Sequence, residues 1–349
     1  MNTTTSKNTT NSTNSPLPGH PFRTSKRIIV TGGAGFIGSH VVDACVDAGH
    51  EVLVIDNLST GSAQNVNPAA RLEQIDIRDT QGVAKVFASF RPQVVNHHAA
   101  QIDIRRSVDD PIFDAEVNVI GSVNLMQQAV RNHAKGFIFA SSGGAIYGET
   151  PHQAAETAAK APISPYGAAK AAVENYLFAY RETFGLGSVV LRYANVYGPR
   201  QDPSGEAGVV SIFASALIAG HGVTIFGSGE QVRDYVFVMD VARANLLALD
   251  LLFNEAQAPG NPDESAFNIA SGRATSVNAL YDEMVKIIPA RIEAVHADAR
   301  PGELMESRLA ITRARDGLGF LPQVKLPDGL LQTVDWQKNV KETSSKRVS

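Results

Sequence analysis

Short β-branched runs alternate along the chain with longer stretches that carry apolar residues at helical spacing. The predicted strands are short and apolar throughout, as expected of strands that are covered on both faces. Strands that alternate with helices in this way favour a parallel sheet with helices on both sides, an α/β, doubly wound fold. The predicted strands are 28–30, 51–55, 72–75, 94–96 and 136–140, and the predicted helices between them are 36–48, 80–90 and 110–132.

A glycine-rich turn follows the first predicted strand. Gly32, Gly35 and Gly38 lie three residues apart, and glycine accepts a positive φ and lets a phosphate approach the backbone. Asp56 ends the second strand, about 20 residues on, where an acid can bind a ribose hydroxyl. The unit predicts a dinucleotide site. The alternative is that the glycines only make a turn and that Asp56 only caps a helix.

A second informative stretch is 162–185, predicted as a helix with Ser164 as N-cap and Pro165 as its first residue. Tyr166 and Lys170 are four residues apart, so they share one helical face. An ammonium group beside a phenol favours the phenolate, which makes such a pair suited to proton transfer near neutral pH. The alternative is an ordinary surface pair.

Composition excludes several classes of protein. The chain has 349 residues, a net charge of −4 and no basic stripe, so nucleic acid is not an expected partner. Cys45 is the one cysteine, which rules out a disulfide framework and suggests a reducing compartment, the cytoplasm. No apolar run approaches the ~20 residues that span a membrane. His97 and His98 are adjacent on a strand and point to opposite faces, so no metal site is expected.

The motifs TGGAGFIGSH, SSGGAIYGE, SPYGAAKAAVENY, LRYANVYGPRQ and RPGELMES stand in this order. With them, the chain resembles the extended short-chain dehydrogenase/reductases, in the NAD-dependent sugar epimerase/dehydratase group. Within that group it is most similar to the 4-epimerases of UDP-hexoses and UDP-N-acetylhexosamines. The resemblance implies a Rossmann-type domain, 27–193 plus 234–265, and a smaller α/β substrate lobe, 194–233 plus 266–338. It leaves a disordered tail, 1–26, and a C-terminal tail, 339–349.

The resemblance implies NAD as the cofactor. Asp56 favours NAD over NADP, because a 2′-phosphate would meet a like charge. The residues that it assigns to the cofactor are Gly32, Gly35, Phe36, Ile37, Asp56, Asn57, Asp76, Ile77, Ala99, Ala100, Gln101, Asn118, Tyr166, Lys170 and Tyr193.

Tyr166 and Lys170 are the catalytic pair that the resemblance implies. The family usually has Ser or Thr at the position of Gly143, so the hydroxyl that bonds the reacting sugar oxygen must come from elsewhere. Ser142 is the preferred candidate, with Ser141, water or the backbone as alternatives. The implied substrate contacts, to a UDP-sugar in the cleft between lobes, are Ser142, Tyr166, Asn195, Val209, Thr224, Phe226, Arg233, Arg300, Glu303 and Ser307.

Three functions compete at this point. A nucleotide-sugar 4-epimerase is favoured, and Ser307, where some relatives carry tyrosine, leaves room for an N-acetylated sugar. A 4,6-dehydratase is disfavoured, because such enzymes place Asp-Glu where Gly143 and Gly144 stand. A non-catalytic NAD-sensing protein is disfavoured by the intact Tyr166 and Lys170. The resemblance also implies a homodimer that pairs the helices around 114–131 and 166–183.

Overall fold

The computed structural model describes residues 24–150, 152–203, 208–254, 264–289, 293–299 and 304–348, without the side chains of 343–348. The strands within these ranges are β1 Arg27–Thr31, β2 Glu51–Asp56, β3 Arg71–Gln74, β4 Val94–His97, β5 Gly136–Ser142, β6 Gly187–Tyr193, β7 Asn195–Tyr197, β8 Thr224–Phe226, β9 Val232–Arg233, β10 Tyr235–Phe237, β11 Ala266–Ile269, β12 Thr275–Ser276, β13 Val295–Ala297 and β14 Glu306–Ser307.

Seven of these strands form one parallel sheet in the order β11-β6-β5-β4-β1-β2-β3. The helices are α1 Phe36–Asp47, α2 Thr80–Phe90, α3 Ile104–Asp109, α4 Pro111–Ala115, α5 Gly121–Arg131, α6 Gly143–Ile146, α7 Pro165–Phe184, α8 Val209–Ile218, α9 Val238–Phe253, α10 Val277–Ile287, α11 Thr312–Leu318 and α12 Leu326–Val348.

Helices cover both faces of the sheet, so the predicted doubly wound α/β fold is confirmed. One core joins α1 and α9 to one face of the sheet, and the other joins α2, α5 and α7 to the opposite face. The order in which strands are added to the sheet reverses at β1, because β2 pairs with one side of β1 and β4 pairs with the other side. Such a switch point leaves a crevice at the carboxyl ends of the strands, where ligands bind.

The helix that carries Tyr166 begins and ends where the sequence predicts. The Ser164 hydroxyl accepts a hydrogen bond from Gly167 N at 3.1 Å, and Pro165 is the first helical residue. Gly185 ends the helix with a φ of 70°, a left-handed conformation that glycine adopts without strain. The single helix predicted over 110–132 is wrong in one respect, because a π-helical turn, Glu116–Ile120, separates α4 from α5.

A third core, smaller than the two on the main sheet, lies among α8, α10 and α12. Two predicted assignments to this part of the chain are wrong. Residues 266–269 were expected in the substrate lobe, yet they form β11 at the edge of the main sheet, where Phe267 and Ile269 are buried. The segment 339–349 was expected to be a tail, yet α12 continues through it to Val348, and Lys341 Nζ donates to Ser215 O.

The predicted disordered tail, 1–26, lies outside the described residues except for 24–26. None of the helices in the described ranges is long and apolar enough to cross a membrane.

Candidate active site

The glycine turn between β1 and α1 leaves no room for side chains. Gly32 has a φ of 68°, and a Cβ built on it would lie 2.6 Å from Ala99 N. A Cβ on Gly38 would lie 2.1 Å from Gly32 O, so the helix packs directly on the turn. These are the two demands, a tight turn and close packing, that a dinucleotide-binding turn makes of its glycines.

Asp56 lies at the end of β2, beside this turn. Its carboxylate accepts hydrogen bonds from Ala34 N at 3.0 Å and Leu58 N at 2.8 Å. Asn57 Nδ2 donates to Asp76 Oδ2 at 3.1 Å, which brings two more of the predicted residues together. The tight turn with an acid at the end of the next strand is the arrangement typical of dinucleotide-binding sites.

His97 links the dinucleotide turn to the π-helical turn. Ser122 Oγ donates to Asn118 O at 2.6 Å, so it accepts from His97 Nε2 at 2.8 Å. His97 Nδ1 then accepts from Thr31 Oγ1 at 2.6 Å, and Ala99 N donates to the same hydroxyl at 3.2 Å. Burial lowers the pKa of His97 well below its usual value, which keeps the ring neutral. The sequence offered His97 only as a rejected metal ligand, and this structural role was missed.

Gln101 and Asn118, which the sequence analysis predicts to contact the cofactor, lie next to each other in the fold. Gln101 N donates to Asn118 Oδ1 at 2.9 Å, and Asn118 Nδ2 donates to Gln101 O at 2.9 Å. Both amides also donate to Asp114 Oδ1, at 3.0 and 2.9 Å. Asp114 is 1% exposed, and nothing in the sequence pattern singled it out.

Tyr166, Lys170 and Ser142 meet at the carboxyl end of β5. The Ser142 side chain lies close enough to Tyr166 to lower the pKa of its hydroxyl, and Lys170 Nζ lies 5.7 Å from the centre of the Tyr166 ring. Lys170 Nζ donates to Ala140 O at 2.9 Å. Burial raises the pKa of Tyr166 to about 12 and lowers that of Lys170 to about 8, the latter against the negative charge of Asp114. The effect of Lys170 on the pKa of Tyr166 stays a prediction, because the groups that move this pKa here are burial, Ser142 and Asp114.

Ser141 faces away from Tyr166, because successive side chains of a strand point to opposite faces. Its hydroxyl donates to Glu174 Oε1 at 2.6 Å. Glu174 also accepts from Arg192 Nε at 3.0 Å and Nη2 at 2.6 Å, and from Lys160 Nζ at 2.7 Å. The geometry therefore favours Ser142 over Ser141. Glu174 stands four residues after Lys170, and this spacing is the one sequence signal that could have found it.

Three of the predicted substrate residues lie close to the end of β5. Ser307 pairs with Arg233 between β14 and β9. A Cβ built on Gly144 would lie 3.7 Å from Ser307 Oγ and 4.0 Å from Asn195 Oδ1. Ser307 and Asn195 thus lie close to Gly144, two residues after the end of β5.

Other predicted site residues are placed differently. The Tyr193 hydroxyl is bound to His98 Nε2 at 3.1 Å and to Asn245 Nδ2 at 2.9 Å, within the core. Val209 begins α8, and Thr224 and Phe226 lie in β8. Arg300 and Glu303 lie outside the described residues.

Residues 28–304 match the NAD dependent epimerase/dehydratase family. The chain is 42% identical over 318 residues to a putative UDP-glucose 4-epimerase of Methanocaldococcus jannaschii, covering 90% of this chain and 100% of that one. It is 43% identical over 319 residues to a UDP-glucose 4-epimerase of Mycolicibacterium smegmatis, covering 90% and 99%. A crystal structure of Thermotoga maritima UDP-glucose 4-epimerase with UDP-glucose superposes with a TM-score of 0.85, at 45% identity and with 90% and 99% coverage.

A Thermus thermophilus UDP-glucose 4-epimerase in complex with NAD superposes with a TM-score of 0.83, at 42% identity, covering 89% of this chain and 99% of that one. The match over most of the chain agrees with the dinucleotide turn and the tyrosine–lysine helix described above. The chain belongs to the NAD-dependent epimerase/dehydratase family.

Proposed function

We propose that this protein is an NAD-dependent UDP-glucose 4-epimerase that interconverts UDP-glucose and UDP-galactose through a 4-keto sugar. The observation that carries the proposal is the meeting of Tyr166, Ser142 and Lys170 at the carboxyl end of β5, at the edge of the parallel sheet where β1 leads into the glycine turn. The similarity to UDP-glucose 4-epimerases over 90% of the chain supports it.

The position of each residue gives it a separate role in the proposed reaction. Tyr166 takes the proton from the sugar 4-hydroxyl and returns it to the keto oxygen, and Ser142 holds that oxygen through its hydroxyl. The nearby Ser142 side chain lowers the pKa of Tyr166 against the effect of burial. Lys170 supplies a positive charge on the same helix face. NAD, which the glycine turn and Asp56 would hold, would supply a hydride acceptor and donor for sugar C4.

Turnover of UDP-glucose to UDP-galactose with NAD tests this function. Tyr166→Phe removes the proton-transferring oxygen, and we expect activity to fall by about 100-fold or more while NAD stays bound. Tyr176→Phe is the matched control, because Tyr176 lies on the same helix and is 43% exposed. Near-normal turnover by a folded Tyr166→Phe protein would contradict the assignment.

We also propose that UDP-N-acetylglucosamine and UDP-N-acetylgalactosamine are substrates. Ser307 is a small residue beside Gly144, and it leaves space for an acetamido group. A roomy site discriminates weakly against a sugar that lacks the group. Ser307→Tyr should therefore remove activity on the acetylated pair and keep activity on the plain pair. Unchanged acetylated activity in this variant, or none in the wild type, would refute the idea.

We further propose a cytoplasmic homodimer. Exposed apolar side chains occur on the helices expected at the interface and in the π-helical turn between them, where Ile112 is 73%, Ile120 60% and Phe184 57% exposed. Such exposed apolar residues support an interface on these helices. Sedimentation equilibrium tests the dimer, and Ile112→Glu with Ile120→Glu should shift it to monomer. The single cysteine, Cys45, is buried and free, which suits a reducing compartment.

A further inference from the structure

Leu309 occupies the volume that a side chain at position 143 would need. A Cβ built on Gly143 would lie 2.4 Å from Leu309 Cδ1 and 3.0 Å from Cδ2. Real Cβ atoms essentially never show contacts shorter than 3.0 Å, so the first of these contacts is too close. Leu309 is 2% exposed and packs in a buried cluster with Ile146 and Tyr147. A side chain at position 143 would therefore require the Leu309 side chain to shift or rotate within this buried cluster.

Leu309 belongs to a stretch that we call the wall segment, residues 305–310, and whose backbone is fixed on two sides. One side pairs with β9 and the residue after it, and the other side pairs with Ala154, in the loop before α7. The bonds are Val232 N to Met305 O (2.8 Å), Asp234 N to Ser307 O (3.2 Å), Ala154 N to Arg308 O (2.9 Å) and Ala310 N to Ala154 O (2.9 Å).

Ser307 and Leu309 are two residues apart in this extended segment, so their side chains point to the same side. The contacts agree, because Leu309 meets Gly143 while Ser307 Oγ lies near the Cβ position of Gly144. Two glycines thus face two side chains of the wall segment. The distance between the Leu309 side chain and the Gly143 backbone therefore determines how far Ser307 lies from the crevice.

We propose that Gly143 and Leu309 form a specificity-determining pair. The lack of a side chain at position 143 lets Leu309 anchor the wall segment, and this anchor holds Ser307 at the depth that fixes the space around the sugar. The inference rests on the proposed function, since it concerns the UDP-sugar site of that reaction.

Gly143→Ala tests the pair. The backbone φ of Gly143 is outside the left-handed region, so an alanine there is strained only by its contact with Leu309. The methyl group lifts the wall segment and widens the sugar site. We expect kcat/KM for UDP-glucose to fall by about tenfold, and the ratio of kcat/KM for UDP-N-acetylglucosamine to UDP-glucose to rise by about threefold. NAD content should not change. A general loss of stability would lower both activities together and leave the ratio unmoved.

Gly143→Ala combined with Leu309→Val is the rescue, because valine lacks the two Cδ atoms that clash. We expect both quantities to return to within about twofold of the wild type. Gly317→Ala, on α11 against Phe267, is the control and should leave the ratio unchanged. An unchanged ratio in Gly143→Ala, or no recovery in the double variant, overturns the proposal.

Two further arms keep the test decisive. If Gly143→Ala does not fold, Leu309→Val alone frees the anchor, and the same ratio must then change. If the wild type turns over neither sugar, the proposed function fails. The ratio of the dissociation constants of the two UDP-sugars, measured by calorimetry, then tests the pair in the same variants. Binding of neither sugar overturns both.

Discussion

Replacing Glu174 by glutamine should destabilise the protein strongly. Glu174 is 4% exposed, and its carboxylate accepts from Ser141, Lys160 and, through two nitrogens, Arg192. Arg192 is 0% exposed, so its charge is out of reach of water. Glutamine keeps the shape of the side chain but leaves the guanidinium without its counter-charge. Breaking a buried ion pair in this way costs about 3–5 kcal/mol.

The expected shift follows from the size of the chain. Unfolding a protein of this length changes its entropy by about 0.7 kcal/mol/K, so a loss of this size lowers Tm by about 4–7 °C. Thermal and urea unfolding followed by circular dichroism measure it. NAD must be held at one saturating concentration throughout, because a bound ligand shifts apparent stability.

Two variants show whether the buried charge is the cause. Lys160→Met removes the partner that is 23% exposed and should cost no more than about 1 kcal/mol. Glu174→Met with Arg192→Met removes both buried charges and should recover at least half of the loss, since apolar replacement of a buried pair is often close to neutral. A Glu174→Gln protein within about 1 kcal/mol of the wild type would refute the reasoning.

Three other outcomes are expected. Ser142→Ala should lower kcat by about 100-fold, whereas Ser141→Ala should change it by less than about threefold, in steady-state epimerisation assays. Asp56 should make NAD bind at least about tenfold more tightly than NADP by equilibrium dialysis. Activity should fall above about pH 8, because burial lowers the pKa of Lys170 to about 8 and the ammonium loses its proton there. Asp114→Asn removes the charge that holds this proton, so a pH profile of kcat should show the fall at lower pH.

Each of these has a contradicting result. Equal damage from Ser141→Ala would mean that the hydroxyl does not come from Ser142. NADP binding as tight as NAD binding would remove the ribose role of Asp56. An alkaline limb that stays in place in Asp114→Asn would mean that this carboxylate does not act on Lys170, and Glu116→Gln, an exposed carboxylate nearby, is the matched control.

The main sheet and the helix of Tyr166 could be predicted because their signals are local. Caps such as Ser164 and Gly185, and the run of β1, act within a few residues of the chain. The glycine turn and Asp56 could likewise be predicted, because each stands at a characteristic spacing from a neighbouring strand or helix. The choice between Ser141 and Ser142 stayed open, because it depends on which side of β5 faces α7.

The rest of the site depends on pairs that are distant in sequence. Arg192 meets Glu174 across 18 residues, and Leu309 meets Gly143 across a much longer stretch. The periodic spacing of apolar and polar residues along the chain does not indicate which distant residues form such pairs. The strand β11 was misplaced for a similar reason, since only its register against β6 shows which sheet it joins.

The chain passes repeatedly between the main sheet and the smaller core. It leaves after β6, returns with α9, leaves again after β11, and returns with α11 before α12 ends in the smaller core. Parts joined through several covalent crossings cannot swing apart on one linker, because every crossing must bend about a common axis. Any relative movement of the two parts must therefore bend all of these crossings together, and neither part is a contiguous segment that could be excised and expressed alone.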